Sequence, residues 1–149
     1  EPGAIFMAGG SGLSCPQSMI LDMLEEGDAR QIYLFQGARN VAELYNRELF
    51  EALDREHDHF HYIPALNAPL DEDNWEGFQG FVQEAAIKYF DNRFNGHKAY
   101  LCGPPPMIDA AITALMQGRL FERDIHMERF LTAADGAEEL SRSALFKRI

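Results

Sequence analysis

Residues 4–17 read AIFMAGGSGLSCPQ and pass from an apolar run, through a glycine turn, to the start of a helix. AIFMA is short and continuous, as in a buried parallel strand, and the glycines allow a tight strand-to-helix turn. Four further apolar runs, QIYLFQ, FHYIPAL, KAYLC and DIHMERF, alternate with stretches of helical period. This alternation predicts an α/β fold: a doubly wound, five-stranded parallel sheet in the strand order 3-2-1-4-5, with helices on both faces.

Signals for helix starts and stops lie between these runs. Ser14 is followed three residues later by a Gln and predicts a capping box, while Gly27 predicts the end of that first helix. The second helix is predicted to begin at Asn40, which Glu43 follows three residues later as in a helix cap. The third is predicted to begin at Phe78, from which apolar residues recur at helical spacing. The fourth is predicted to start at the prolines 104–106, whose missing N–H groups cost nothing in a first turn.

Length, composition and charge exclude several classes of protein. The 149 residues, 46% of them hydrophobic and 25% charged, fit one compact domain. Thirteen Lys and Arg against 24 Asp and Glu give a net charge of −11, which disfavours binding to nucleic acid or anionic lipid. No apolar stretch approaches the ~18 residues that span a bilayer, and the chain does not open on a signal-peptide pattern. We therefore predict a cytoplasmic protein without a nucleic-acid or membrane partner.

Two loops are predicted to meet at one crevice, AGGSGLSCP at residues 8–16 and CGPPPM at residues 102–107. Ligands of a doubly wound sheet bind outside the carboxyl ends of the strands, where the winding direction reverses. The first and fourth strands are neighbours in the predicted order, so Ser11, Cys15, Cys102 and Gly103 are expected to converge there. A glycine turn before a helix N-terminus favours an anionic ligand, and the proline corner suits a flat ring.

The glycine loop departs from two common nucleotide motifs. Gly10 and Gly12 match the first two glycines of GxGxxG, but Cys15 stands where the third belongs. No Asp or Glu stands at residues 36–39, after the second strand, to hold a ribose 2′-hydroxyl. A P-loop is excluded because no GK[ST] follows. A standard Rossmann dehydrogenase is disfavoured, and simple strand-to-helix packing remains an alternative for the turn.

Four segments together resemble a known family: AGGSGLSCPQSM, FQGARNVAELY, YLCGPPPMIDAA and MERF. They are similar to the pyridine-nucleotide domain of the ferredoxin–NADP reductase superfamily and, more narrowly, to the reductase components of bacterial multicomponent phenol hydroxylases. The resemblance implies that residues 1–149 bind NADH, with residues 131–149 as a C-terminal tail. It also implies FAD and ferredoxin domains on the same polypeptide. This agrees with the opening of the given sequence, which reaches its first predicted strand at residue 4. Hydride would pass from NADH to FAD, and electrons through [2Fe-2S] to a diiron hydroxylase acting on phenol.

The same resemblance implies roles for individual residues. Cys102 matches a cysteine near the nicotinamide ring, Ser11 faces the nicotinamide end, and Glu128 lies at the nicotinamide–flavin contact; these three are the predicted catalytic residues. Because hydride transfer needs no protein nucleophile, Cys102 is expected to position the ring and form no covalent bond. Arg39 is expected at the adenosine end and the glycines of the first loop beside the pyrophosphate. The implied cofactor-binding residues are Gly9, Gly10, Gly12, Arg39, Gly103, Pro104, Met107 and Phe130.

Two other functions stay open at this point. The chain could hold a nucleotide without turnover, or Cys15 and Cys102, its only cysteines, could form a dithiol redox switch. CGPPPM together with MERF favours the reductase over the switch, which needs neither motif. His57, His59 and His61 alternate in HDHFHY and could put two imidazoles on one strand face, but without a Cys or acidic partner at defined spacing they predict no metal site.

Overall fold

The computed structural model of the chain describes residues 2–10 and 13–129. Its six parallel strands are β1 (Gly3–Gly9), β2 (Ile32–Ala38), β3 (Phe60–Leu66), β4 (Phe78–Gln79), β5 (His97–Gly103) and β6 (Ile125–Arg129). They form one sheet in the order β4-β3-β2-β1-β5-β6. The predicted order of the five long strands is thus confirmed, and the two-residue β4 extends the sheet at one edge.

The extra strand changes the start of the third helix. Phe78, predicted to open that helix, instead pairs with Ala65 of β3. Gly80 follows with φ +147°, a conformation that L side chains rarely adopt. The helix, α3 (Val82–Phe90), therefore begins four residues later than predicted. Apolar spacing alone could not reveal this, because Phe78 faces the core from the strand as it would from a helix.

The second helix, α2 (Arg47–Glu56), also begins later than the predicted Asn40. The intervening residues Val41–Glu43 form a single 3-10 turn. Asn46 then adopts a left-handed φ of 59°, which a continuous right-handed helix cannot contain. One 3-10 turn and the left-handed Asn46 therefore replace the first half of the predicted helix, and the 3-10 turn begins three residues after the end of β2.

The other two helices are α1 (Ser14–Glu25) and α4 (Pro105–Gln117). Ser14, predicted to cap α1, is instead its first helical residue, because the backbone at Leu13 is already helical and Leu13 is the N-cap residue. The predicted stop at Gly27 is confirmed by its φ of +75° and by hydrogen bonding of its N–H to the Leu24 carbonyl. The prolines open α4 as predicted. No helix of the described residues is long and apolar enough to span a membrane.

Alternate residues of β1 enter two different core clusters. Ile5 and Met7 join the cluster that includes residues of α3 and α4, whereas Ala4, Phe6 and Ala8 join the one that includes residues of α1 and α2. All five are at most 1% exposed. The central strand is therefore covered on both faces, as a doubly wound sheet requires, and the strand ends are left for a ligand.

Candidate functional site

A cleft of about 590 Å³ opens at the carboxyl ends of the central strands. Gly9 and Gly10 line it at the end of β1, and residues 37–39 line it at the end of β2. The opposite wall comes from the start of α4, including Pro104 and Met107. The cleft lies where the sequence predicted a crevice, and its volume falls within the range of small-molecule sites.

Met107 lies across the ends of β1 and β5. A Cβ added at Gly9 would stand 2.5 Å from the Met107 Sδ, and one added at Gly103 would stand 3.0 Å from the same atom. The Gly103 Cβ would also approach the Gly9 backbone N to 3.4 Å. The two predicted loops therefore meet. Glycine at both strand ends leaves room for the Met107 thioether, with which any larger side chain at these positions would collide.

Gly10 turns the chain from β1 toward α1. Its φ of +59° is left-handed, which glycine adopts without the steric penalty of a Cβ, and the residue is exposed. The turn leads to α1, whose first backbone N–H groups have no partner within the helix and favour an anion. Ser11 and Gly12, both predicted to contact the nucleotide, lie outside the described residues.

Cys102 lies at the end of β5 but does not line the cleft. It is 3% exposed and stands opposite Ala8 of β1 and Glu128 of β6 in the strand register. Ala8 belongs to the core cluster that includes residues of α1 and α2, and opposed residues of neighbouring strands face the same side. Cys102 therefore faces away from the cleft wall formed by Met107. Phe130 lies outside the described residues.

The two cysteines are not joined by a disulfide. Cys15 is half-buried in the first turn of α1, and Cys102 is buried in the sheet. Neither lines the cleft on which both were predicted to converge, because α1 covers the face of the sheet opposite Met107. The dithiol switch stays a prediction. Among the residues that the structure describes, no three His, Cys, Asp or Glu side chains form a potential metal site.

Arg39 lies at the predicted adenosine end and is paired with a residue that the sequence did not single out. Its Nε donates to the Glu43 Oε1 at 3.1 Å, and its Nη2 bonds to the Glu43 Oε2. These hydrogen bonds lower the pKa of the Glu43 carboxyl and raise the pKa of the Arg39 guanidinium. Both side chains line the cleft. In the sequence, Glu43 indicated only the start of a helix after the second strand and was not predicted to line the site.

A buried hydrogen-bond chain holds this loop against β2. Gln36, 3% exposed, accepts a hydrogen bond from the Tyr62 hydroxyl at its Oε1 and donates from its Nε2 to the Tyr45 carbonyl oxygen at 3.0 Å. Burial raises the pKa of Tyr62, so the phenol remains protonated and able to donate. The chain fixes the segment that contributes Glu43 and Tyr45 to the cleft.

Two sequence relatives carry the names of phenol hydroxylase components. The chain is 72% identical over 149 residues to the phenol hydroxylase P5 protein of Acinetobacter pittii, covering all of this chain and 42% of that protein. It is 74% identical over 145 residues to the phenol 2-monooxygenase reductase component DmpP of Pseudomonas sp. strain CF600, covering 97% of this chain and 41% of that protein. The chain thus spans about two fifths of the length of these relatives.

Solved structures with the same fold include several reductases. The Amycolatopsis cytochrome P450 reductase GcoB matches with a TM-score of 0.80 and 29% identity, over 89% of this chain and 38% of that one. The ferredoxin reductase of carbazole 1,9a-dioxygenase matches in fold with a TM-score of 0.73 and 24% identity, over 87% and 38% of the two chains. These matches confirm the predicted likeness to the ferredoxin–NADP reductase superfamily.

A family model described as the oxidoreductase NAD-binding domain matches residues 6–113. This range contains most of β1, the glycine turn, the loop with Arg39 and Glu43, and the CGPPPM corner. The elements that build the cleft are therefore the elements that the family shares. The chain belongs to the oxidoreductase NAD-binding domain family.

Proposed function

We propose that the cleft binds NADH and that this chain is the nucleotide-binding part of a flavin-dependent and iron–sulfur-dependent reductase. One observation carries the proposal: Gly9 and Gly103, the last residues of β1 and β5, meet beneath Met107 and beside the open cleft. Family membership identifies the class of ligand, and the volume and glycine floor of the cleft fit an extended dinucleotide.

The pyrophosphate is proposed to lie over the turn at Gly9 and Gly10. Without a Cβ at these positions, a phosphate can approach the backbone N–H groups closely. The N-terminus of α1 adds the positive end of a helix dipole on the same side of the turn. Ser11 and Gly12 continue this turn in the sequence and are proposed to complete the contact. Binding of the two phosphates thus needs no lysine or arginine.

The adenosine half is proposed to lie in the cleft, toward the end of β2. Tyr45 and Phe81 line the cleft and are 56% and 54% exposed, so each retains apolar surface that a purine could cover. Arg39 and Glu43 line the cleft beside them and offer polar groups to the ribose. The adenosine half thus contributes binding, and the nicotinamide is oriented by other residues.

The nicotinamide end is proposed to cross the strand ends at Gly103 and Pro104 toward the other face of the sheet. Cys102 faces that side, and Glu128 is the register partner of Cys102 on β6. We propose that Cys102 fixes the ring by packing and that Glu128, Ser11 and Phe130 orient the ring or its carboxamide. Nicotinamide and flavin supply the hydride chemistry when bound, so the chain's contribution is orientation and exclusion of water.

The function of the whole protein follows from the relatives and is part of the same proposal. Because the chain spans about two fifths of those relatives, we propose that FAD and [2Fe-2S] domains belong to the same polypeptide. One of these relatives is named as a reductase component of phenol 2-monooxygenase. We therefore propose that electrons leave through [2Fe-2S] to a diiron hydroxylase that acts on phenol, in the cytoplasm.

Obstruction of the cleft tests the NADH site. Ala110 lines the cleft on α4, and Thr113, three residues further along the same helix, is exposed and does not line it. We expect Ala110→Phe to weaken NADH binding by at least tenfold and the matched control Thr113→Phe to bind within twofold of wild type, measured by titration calorimetry. Equal affinity of Ala110→Phe and wild type would place the nucleotide elsewhere.

A second experiment separates turnover from simple nucleotide binding. In the full-length protein, we expect Cys102→Ala to slow flavin reduction by NADH far more than it weakens NADH binding, because the residue positions the ring. Stopped-flow absorbance of the flavin measures the rate. An unchanged rate would remove the proposed role of Cys102. Binding of NADH with no flavin reduction in the wild-type protein would support a nucleotide-binding module without turnover.

A further inference from the structure

We infer that residues 141–149, SRSALFKRI, dock in an apolar groove between α1 and β6, on the side of the sheet opposite α4. This α1–β6 groove is lined by Met19 and Met23 of α1, Tyr100 of β5 and His126 of β6. Residues 130–149 lie outside the described part of the chain, whereas the groove that would receive them lies within it. Docking of this basic segment does not depend on the proposed NADH site.

A helix packs on the edge strand β6 from one side of the sheet. Ile125 and Met127 belong to the core cluster that includes residues of α3 and α4, and α4 contacts β6. His126 alternates with them and therefore faces the side of α1 and α2. There, α1 packs mainly on β1 and β5, and α2 on β3. No described helix packs on β6 from this side as α4 does from the other, so the strand has an open surface beside α1.

A row of aromatic rings leads from the core to this open surface. Phe6 of β1, Tyr100 of β5 and His126 of β6 are register partners. Tyr100 stacks on Phe6 with the ring centroids 4.9 Å apart, and on His126 with the centroids 5.2 Å apart. Phe6 is fully buried, whereas Tyr100 and His126 are half-buried. The row therefore leaves aromatic surface uncovered where the cover of α1 ends.

One flank of α1 forms the other wall of the groove. The flank consists of four residues at the helical spacing i, i+3, i+4 and i+7: Met19, Asp22, Met23 and Glu26. Gln17 lies on the opposite flank, where its Oε1 accepts a hydrogen bond from the Asn46 side chain, just before α2. The four residues thus face away from α2 and toward β6. Both methionines are half-buried and pack against the same core cluster as Tyr100.

The charge of the groove complements that of residues 141–149. Asp22 and Glu26 are exposed at its rim, and α1 contains no Lys or Arg. Among the described residues no cation forms a salt bridge with either carboxylate, Lys98 on the same side of β5 included. Residues 141–149 contain three cations and no Asp or Glu, in a chain whose net charge is −11. The apolar residues 144–146 fit the methionines and rings, and the cations fit the rim.

The distance from β6 permits this docking. His126 stands three residues before Arg129, the last residue of β6, and so about 10 Å back along the strand. Residues 130–140 connect β6 to the basic segment and can span up to ~36 Å when extended. Cys102 follows Tyr100 by two residues and faces the same side of the sheet. The docked segment would therefore shield the side of the sheet that carries Cys102 from water.

Photo-crosslinking in the full-length protein tests the contact. Phe146 is replaced by p-benzoylphenylalanine, a photoreactive amino acid that bonds to side chains touching it, and the products are mapped by mass spectrometry. We expect the main product to be intramolecular and to join residue 146 to a residue of the α1–β6 groove. The same replacement at Tyr89, an exposed residue of α3 on the other side of the sheet, is the matched control and should give no product with α1.

Charge reversal tests whether the acidic rim holds the segment. In the protein with the photoreactive residue 146, Asp22→Lys/Glu26→Lys should lower the yield of the groove product at least fivefold. Adding Lys147→Glu/Arg148→Glu should restore the yield to within twofold of the starting protein, because opposite charges again face each other.

A matched control and the possible outcomes complete the test. Glu48→Lys/Glu72→Lys makes the same change in net charge at exposed residues away from α1 and should leave the yield within twofold. A main product with the proposed FAD or [2Fe-2S] domain, or with a second copy of the chain, overturns the inference because the segment would then dock elsewhere. The absence of an intramolecular product, an equal loss in the control, or a loss that the second pair does not restore also overturns it. A groove product whose yield falls and recovers as expected supports it.

Discussion

Removal of the Tyr62 hydroxyl tests the buried hydrogen-bond chain behind the cleft. Tyr62→Phe deletes the donor to the Gln36 Oε1 and changes the ring very little. Gln36 is 3% exposed, so water cannot easily replace the lost donor. A net hydrogen bond contributes about 0.5–1.5 kcal/mol, and an unsatisfied buried polar atom costs about 1–3 kcal/mol. We expect Tyr62→Phe to lower the free energy of unfolding by about 2 kcal/mol.

Urea unfolding followed by circular dichroism measures this loss. The slope of the unfolding free energy against urea should stay constant, since the surface exposed on unfolding barely changes. For a chain of this size, the expected loss corresponds to a Tm about 4–8 °C lower. Tyr45→Phe is the matched control: its side chain is 56% exposed and Gln36 uses only its backbone carbonyl, so we expect a change within about 0.5 kcal/mol. Equal stability of Tyr62→Phe and wild type, or an equal loss in Tyr45→Phe, would refute the proposed energetics of the chain.

Three further predictions concern the glycine floor, the alkaline limit and the acid limit of stability. Gly9→Ala should weaken NADH binding by about tenfold, because the added Cβ would stand 2.5 Å from the Met107 Sδ and would keep the pyrophosphate from the backbone; unchanged affinity by calorimetry would contradict this. Because burial raises the pKa of Tyr62, its stabilising contribution is complete below about pH 10 and is lost as the pH rises further, since the unfolded chain releases the proton first; Tyr62→Phe should show a smaller alkaline loss in urea unfolding. Hydrogen bonds from Arg30 lower the pKa of Asp28 from 3.8 to about 2, so the stabilisation is present above about pH 4 and lost as the pH falls toward 2. Asp28→Asn should therefore lose at most about 1 kcal/mol at pH 7, as expected for a surface pair, and the difference from wild type should shrink as the pH falls from about 4 through 2; a difference that stays constant over this range would exclude this pair as its source.

The strands and their order were predictable because they depend on composition over short windows. Residues 4–8 are all buried, and the residues of β2, β3 and β5 are buried or half-buried along their whole length, so each strand reads as a largely apolar segment. The short β4 was missed because two residues carry no periodicity. The starts of α2 and α3 were missed because single backbone conformations, at Asn46 and Gly80, decided them. Apolar spacing reports burial and carries little information about such local turns.

The candidate site, like the fold, was predictable only in part. The glycine turn at Gly9 and Gly10 and the CGPPPM corner were recognisable as a ligand-binding pair, since each follows a predicted strand and precedes a helix. The side on which each residue would face was harder to predict. Cys102 and Met107 stand five residues apart, yet Met107 lines the cleft and Cys102 faces the opposite cluster. That difference depends on strand register and on the packing of α4.

The sequence by itself determined the class of fold, the edge of the sheet where a ligand can bind and the family of nucleotide-binding domains, because these depend on local patterns along the chain. Only the tertiary structure paired Arg39 with Glu43, joined Gln36 to Tyr62 across two strands, and laid Met107 over the strand ends. Such contacts join residues brought together by folding, and their energies depend on distances and burial that no local pattern records. The sequence thus located the cleft, whereas folding determined its charge and its shape.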